Sequence, residues 1–284
     1  MQVLLLAVVS MVCAAANDFV FKLYARRHDS TGSYLAIIGF VWAGVFIGFL
    51  PSLACLLNYK TAAWGIISGV FSICANILLV KSLAKEDVGI CATIYRLNLV
   101  PAALLAFILF KEPVTVPRLT AIATGIVAIW LFSWPSRKSA SKFVFSLVIW
   151  LTVTASLLRA GMGLSYKAGL LNGANEYGLL VINGFIWIIG GTICHFVVDQ
   201  KKWRIPSATV AFGVLSGVLV CGITLFMMLA LKHGDASLVL PVTQMSFALT
   251  ALAGIVVIRE PLTFKKCLGI ALAMICILLM GVKR

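Results

Sequence analysis

A chain of 284 residues that is 62% hydrophobic, 11% charged and has a mean hydropathy of +1.09 carries more apolar side chain than a soluble domain of that length can bury. A water-soluble catalytic or DNA-binding module is excluded, because the breaks between apolar runs are all short, and an all-α integral membrane protein is indicated. The net charge of +14 would suggest nucleic acid in a soluble protein, but here Lys and Arg gather at the ends of apolar runs, where membrane orientation accounts for them.

Runs of about 20 apolar residues, enough at about 1.5 Å per residue to cross a hydrocarbon core of about 30 Å, predict ten transmembrane helices. They cover 2–24, 33–57, 62–83, 88–110, 116–134, 143–166, 177–198, 207–231, 236–258 and 264–282. The first has no cationic stretch ahead of it and no small-residue cleavage site, so it is expected to be a retained span. It holds Asn17, Asp18 and Lys22; the third holds Asn76. Asp87 is expected to N-cap the fourth, whose "TIYRLN" segment contains Thr93, Tyr95, Arg96 and Asn98. Arg96 lies about 13 Å along that helix from Asp87, near mid-membrane, where a cation costs at least about 2.5 kcal/mol unless it meets partners or water.

Between the fourth and fifth runs stands "KEPVT", with Glu112 and Pro113. The sixth run carries Arg159, Tyr166 and Lys167, and the eighth Thr224. Asp235 is expected to cap the ninth, whose "PVTQMS" includes Thr243, Gln244 and Ser246. "REPLT", with Glu260 and Pro261, precedes the tenth. In both motifs Pro suits a first helical turn and Glu opposes the positive end of the following helix, so a structural helix-start role is expected.

The two motifs belong to an internal repeat. At an offset of 148, Gly65, Ser68 and Gly69 meet Gly213, Ser216 and Gly217, Glu112 meets Glu260, and Arg96 coincides with Gln244. Earlier in the chain the offset becomes 145 and pairs "GFVW" at 39–42 with "GFIW" at 184–187, and Lys22 with Lys167. The chain therefore reads as one five-helix unit written twice, at 1–136 and 143–284. Five is odd, so the second unit enters the membrane from the opposite face, which gives two inverted repeats around a central cavity.

Two five-span halves with a Glu-Pro motif ahead of the last span of each resemble the EamA-like members of the drug/metabolite transporter (DMT) superfamily. There the motif usually begins with Gly, where Lys111 and Arg259 stand here. The resemblance implies a ten-helix carrier of the bacterial inner membrane for small metabolites, with a cavity formed by spans 1, 3, 4, 6, 8 and 9.

Arg96 and Arg159 are the only Lys or Arg residues placed away from the ends of the predicted spans, and Asp18 is the only acidic residue placed well inside one, their natural counter-ion. A static buried ion pair holding helices together is the plainer alternative. Two cations against one anion leave a positive charge for something acidic, and a planar guanidinium matches a carboxylate or phosphate. The predicted substrate is an amino acid or other acid-bearing compound, held by Arg96, Arg159, Asp18, Asn17, Tyr95, Asn98, Asn76, Gln244, Thr243 and Tyr166. Asp18 is also a candidate carrier of a coupling proton. An intramembrane lipid-modifying enzyme lacks an H-E-x-x-H, G-x-S-x-G or P-loop motif; an anion channel selected by the two arginines is the second rival.

The eight cysteines lack metal or disulfide spacing and read as packing residues, and no metal or cofactor is expected. Lys22 and Lys167 are expected to snorkel to headgroups, and His28, His195 and His233 to sit at the interface. Loops after odd-numbered spans hold 14 Lys and Arg and the others 7, which would put both termini outside, whereas the family resemblance puts them in the cytoplasm. Orientation stays open on sequence alone, as does the choice between monomer and weak homodimer.

Overall fold

The computed structural model describes residues 2–27, 30–109, 115–133, 142–200, 205–233, 242–260 and 263–280. Among them the ordered elements are helices: α1 (Gln2–Arg27), α2 (Thr31–Ile47), the single turn α3 (Ala54–Leu57), α4 (Tyr59–Leu83), α5 (Val88–Arg96), α6 (Leu99–Leu109), α7 (Val116–Ser133), α8 (Lys142–Leu171), α9 (Glu176–Ile193), α10 (Ser207–His233), α11 (Ser246–Val257) and α12 (Phe264–Met280). A π-helical turn, Cys194–Val198, extends α9. Five are long and apolar enough to cross a membrane: α1, α4, α8, α10, and α9 with its extension. Glu112, Pro113, Asp235 and Pro261 lie outside the described residues.

Two expected runs end differently from the sequence prediction. The second helix stops at Ile47, short of 57, as the chain turns through Gly48 and Pro51. The fourth is broken: α5 ends at Arg96, Leu97 takes φ −71° and ψ 7°, and α6 begins at Leu99. Pro101 is the cause, since it has no N–H for the Leu97 carbonyl and its ring crowds that oxygen. Asn98 repairs part of the loss by donating its side-chain amide to the Tyr95 carbonyl at 2.8 Å. Met245, 148 residues further on, takes φ −70° and ψ 1° just before α11.

Helix pairs recur under the repeat. α4 packs on α8 and α9, while α10 packs on α1 and α2; α2 crosses α9, α5 meets α11, and α7 meets α12. Lipid offers no hydrophobic drive for helix association, so close backbone approach supplies it. A Cβ on Gly39 would stand 2.7 Å from the Gly184 carbonyl, and one on Gly184 2.7 Å from the Ala43 nitrogen. The neighbouring seats also match: Ile182 and Ile186 press on Gly65 and Gly69, as Ile37 and Val41 press on Gly213 and Gly217. Polar contacts bolt the same interface, with Asn183 donating to the Gly65 carbonyl and Ser68 Oγ, and Trp187 Nε1 to Ser72 Oγ.

The largest core runs from the end of α2 and the start of α9, with Phe46 and Val181, to where α1 and α4 end and α2 begins. Phe21, Tyr24, Tyr34 and Leu83 are fully buried at the latter end, and the Tyr24 and Tyr34 rings stack 4.0 Å apart. Beside the former end, where α8 finishes and α9 starts, the molecule is hollow.

Candidate functional site

The hollow has two joined parts. A hall of about 1040 Å³ runs from mid-molecule to the end of α8 and the start of α9, with Leu171 and Glu176 among its walls. At its inner end is a chamber of about 60 Å³ bounded by Asn17, Asp18, Asn76, Tyr95 and Trp187. Trp42, Arg96, Arg159, Ile223 and Thr224 face both parts. The break between α5 and α6 places Arg96 and Asn98 here, and the Met245 kink sets Thr243 and Gln244 on the wall of the hall.

Two cations meet at the junction. Arg96 Nη2 is 3.0 Å from Asp18 Oδ2, and both residues are buried. Desolvation of such a pair is offset only by close, well-oriented contact. Arg159 has no carboxylate within salt-bridge distance among the described residues; its Nη1 lies 3.4 Å from Met162 Sδ. The Tyr95 ring is shared between the two guanidiniums, 6.0 Å from Arg96 and 5.9 Å from Arg159. Asn17 Oδ1, Trp42 Nε1, Tyr95 Oη, Arg96 Nε, Tyr166 Oη and Gln244 Oε1 are buried without a hydrogen-bond partner among the described residues. Unsatisfied groups at this density are costly and mark a place built for something polar.

The other end of the molecule is bolted by charge. Lys22 is buried and donates to the Leu83 carbonyl at 2.6 Å and to the Glu86 carbonyl, so it closes the C-terminus of α4 rather than snorkelling. Glu260 Oε1 accepts from the Val88 N–H at 2.8 Å, and its Oε2 lies 2.9 Å from Lys266 Nζ, which reaches Asp87 at 3.4 Å. Glu260 thus serves the start of α5 in the other half, and meets the helix that follows it through the Lys266 ammonium rather than through that helix's N–H groups. Asp87 holds the cap position but makes no capping hydrogen bond. Burial pushes the Glu86 carboxyl above its ordinary range, partly offset by the Asp87 N–H. His195, expected at the interface, is 4% exposed and bonds Ser30 Oγ at 2.7 Å, while Asp199 accepts from the Gly32 N–H at 2.8 Å.

The model of the EamA-like transporter family matches residues 1–134 and again 146–282. The chain belongs to the EamA-like transporter family. An uncharacterised protein of Methanocaldococcus jannaschii is 30% identical to this EamA-like chain over 97 residues, 34% of this chain and 71% of the relative. A solved structure titled "Crystal structure of protein" superposes with a TM-score of 0.66 at 13% identity, covering 98% of this chain and 95% of its own, which shows the fold. The EamA-like protein is a multi-pass membrane transporter of the drug/metabolite type.

All ten side chains singled out in the sequence line the two joined spaces of this EamA-like protein. Asp18, Asn17, Asn76 and Tyr95 bound the chamber, Asn98, Thr243, Gln244 and Tyr166 the hall, and Arg96 and Arg159 both. Trp42 and Trp187 were missed. They stand edge to face, centroids 5.4 Å apart, at the chamber. The signal was their place in "GFVW" and "GFIW", the same position of both halves.

Proposed function

We propose that the protein is a secondary carrier for a small acid-bearing metabolite, such as an amino acid or organic acid, working by alternating access. Its ten membrane spans form two five-helix halves, 1–136 and 143–284, inserted in opposite directions. Support comes from the recurrence of helix pairs under the repeat, the matching kinks at Leu97 and Met245, and a relative about half as long as this chain. Broken helices with exposed backbone dipoles at a central cavity are a known way to seat substrates. The hall reaches one end while the other is packed, as one half-cycle of such a carrier requires.

The single observation that carries the substrate reading is Arg159: a guanidinium on the wall of a buried polar chamber, with no carboxylate partner among the described residues. Arg96 and Asp18 flank the same seat, and an incoming acid competes with Asp18 for Arg96. Asp18 then takes a coupling proton. The site of action is a bacterial inner membrane, as a monomer or weak homodimer.

The test is counterflow of labelled amino and organic acids in proteoliposomes. Saturable uptake by the wild type and at least a tenfold loss in Arg159→Gln are expected; equal uptake counts against the reading. Rates independent of a pH gradient remove the proton step. Single-channel currents would favour an anion pore, and a chemically altered lipid in the same vesicles an enzyme.

A further inference from the structure

The cavity is unequal in a way that sorts a ligand into two ends. The chamber, at about 60 Å³, is the small end. It is where Asp18, Arg96 and Arg159 meet, with Asn17 Oδ1, Trp42 Nε1 and Tyr95 Oη, which have no hydrogen-bond partner among the described residues, close by. The hall is far larger, at the upper limit of pockets that hold drug-sized ligands, and its walls are mainly apolar: Leu99, Ala102, Met162, Leu170, Leu225 and Met227. Tyr166, Thr243 and Gln244 interrupt them, and Lys167 and Glu176 stand toward the mouth. From Arg159 to Leu171 the α8 wall runs about 18 Å at helical rise.

A small hydrophilic acid fits the chamber and leaves the hall to water against leucine and methionine, which gains nothing from the apolar wall. Methionine walls accommodate many shapes, because the unbranched thioether adjusts its three torsions at little cost. Resting on the carrier reading above, we infer that the ligand is an amphipathic organic anion. It binds head-inward, with a compact acid group at Arg159 and an apolar body of up to roughly 18 Å lying along α8. Head recognition and body recognition are therefore separable: Arg159 reads charge, and the walls of the hall read apolar area. The same chemistry arrives either as a water-borne aryl or alkyl acid or as a single-chain anionic lipid.

Binding is measured on the full chain in nanodiscs, by thermal shift and by fluorescence of the chamber tryptophans, with propionate, 3-phenylpropionate and 3-phenylpropan-1-ol as probes. The phenyl acid is expected to bind at least tenfold more tightly than either of the others. Arg159→Gln is expected to erase its advantage over the alcohol, and Arg159→Lys to keep part of it; the melting curve of each variant without probe reports folding. Equal binding of the two acids overturns the head-and-body inference and leaves the acid carrier standing. Equal binding of acid and alcohol overturns both. Binding of none of the probes at 10 mM also overturns the inference. Lysophosphatidate displacing the phenyl acid assigns the membrane as the source, failure to displace it assigns the aqueous phase, and both results support the arrangement.

Discussion

Removing the Arg96 guanidinium leaves Asp18 charged, buried and unpaired, a change that typically costs about 3–5 kcal/mol. Arg159→Gln strands no carboxylate of the described residues, so its thermal shift is expected to be much the smaller. Arg96→Gln combined with Asp18→Asn is expected to recover a large part of the loss; a double variant as unstable as the single one would show that the pair is not the unit. At Glu86 burial raises the carboxyl, so the folded state holds its proton more tightly than the unfolded state. Its contribution is present in full below the ordinary carboxyl value of 4.5 and is lost as pH rises through the raised one. Glu86→Gln is expected to flatten that decline in melting temperature, which a pH series of thermal unfolding checks. The ion pair was legible because an apolar chain contains so few mid-run charges. The tryptophans were not, since an indole in the middle of an apolar run reads as one more packing side chain.

At the scale of helices, the interface of α2 with α9 depends on hydrogen in place of a side chain. Gly184→Leu would drive carbon into the Ala43 backbone, and unfolding in detergent at a markedly lower temperature than wild type is expected, by about 2 kcal/mol or more. Unchanged melting would remove close approach as the basis of that contact. The positions of most helices follow directly from runs of apolar residues, because lipid rewards length and composition alone. The break after Arg96 is invisible to that signal: a proline inside a long apolar run changes hydropathy little, and neighbouring helices re-satisfy the freed backbone. Only the identity of Pro101, taken with the polar Asn98 beside Tyr95, marked it.

Across the whole molecule, closure of one end depends on contacts between residues far apart in the chain, Glu260 reaching Val88 across 172 positions and Lys266 reaching Asp87 across 179 among them. No local pattern reveals such a partner, which is why the motif read as the start of its own following helix. Cys91, one turn beyond Val88 and fully buried, reports on that closure. Glu260→Gln is expected to raise modification of Cys91 by a thiol reagent, read by peptide mass spectrometry, relative to wild type. Equal labelling would show that the Glu260–Lys266–Asp87 cluster does not hold the end shut. The doubled glycine seats carry a further consequence. Each half presents both the bulky donor and the small acceptor of the same joint, so the halves are complementary without the covalent link. Fragments 1–136 and 143–284 made as separate polypeptides are therefore expected to find each other in the bilayer and co-purify.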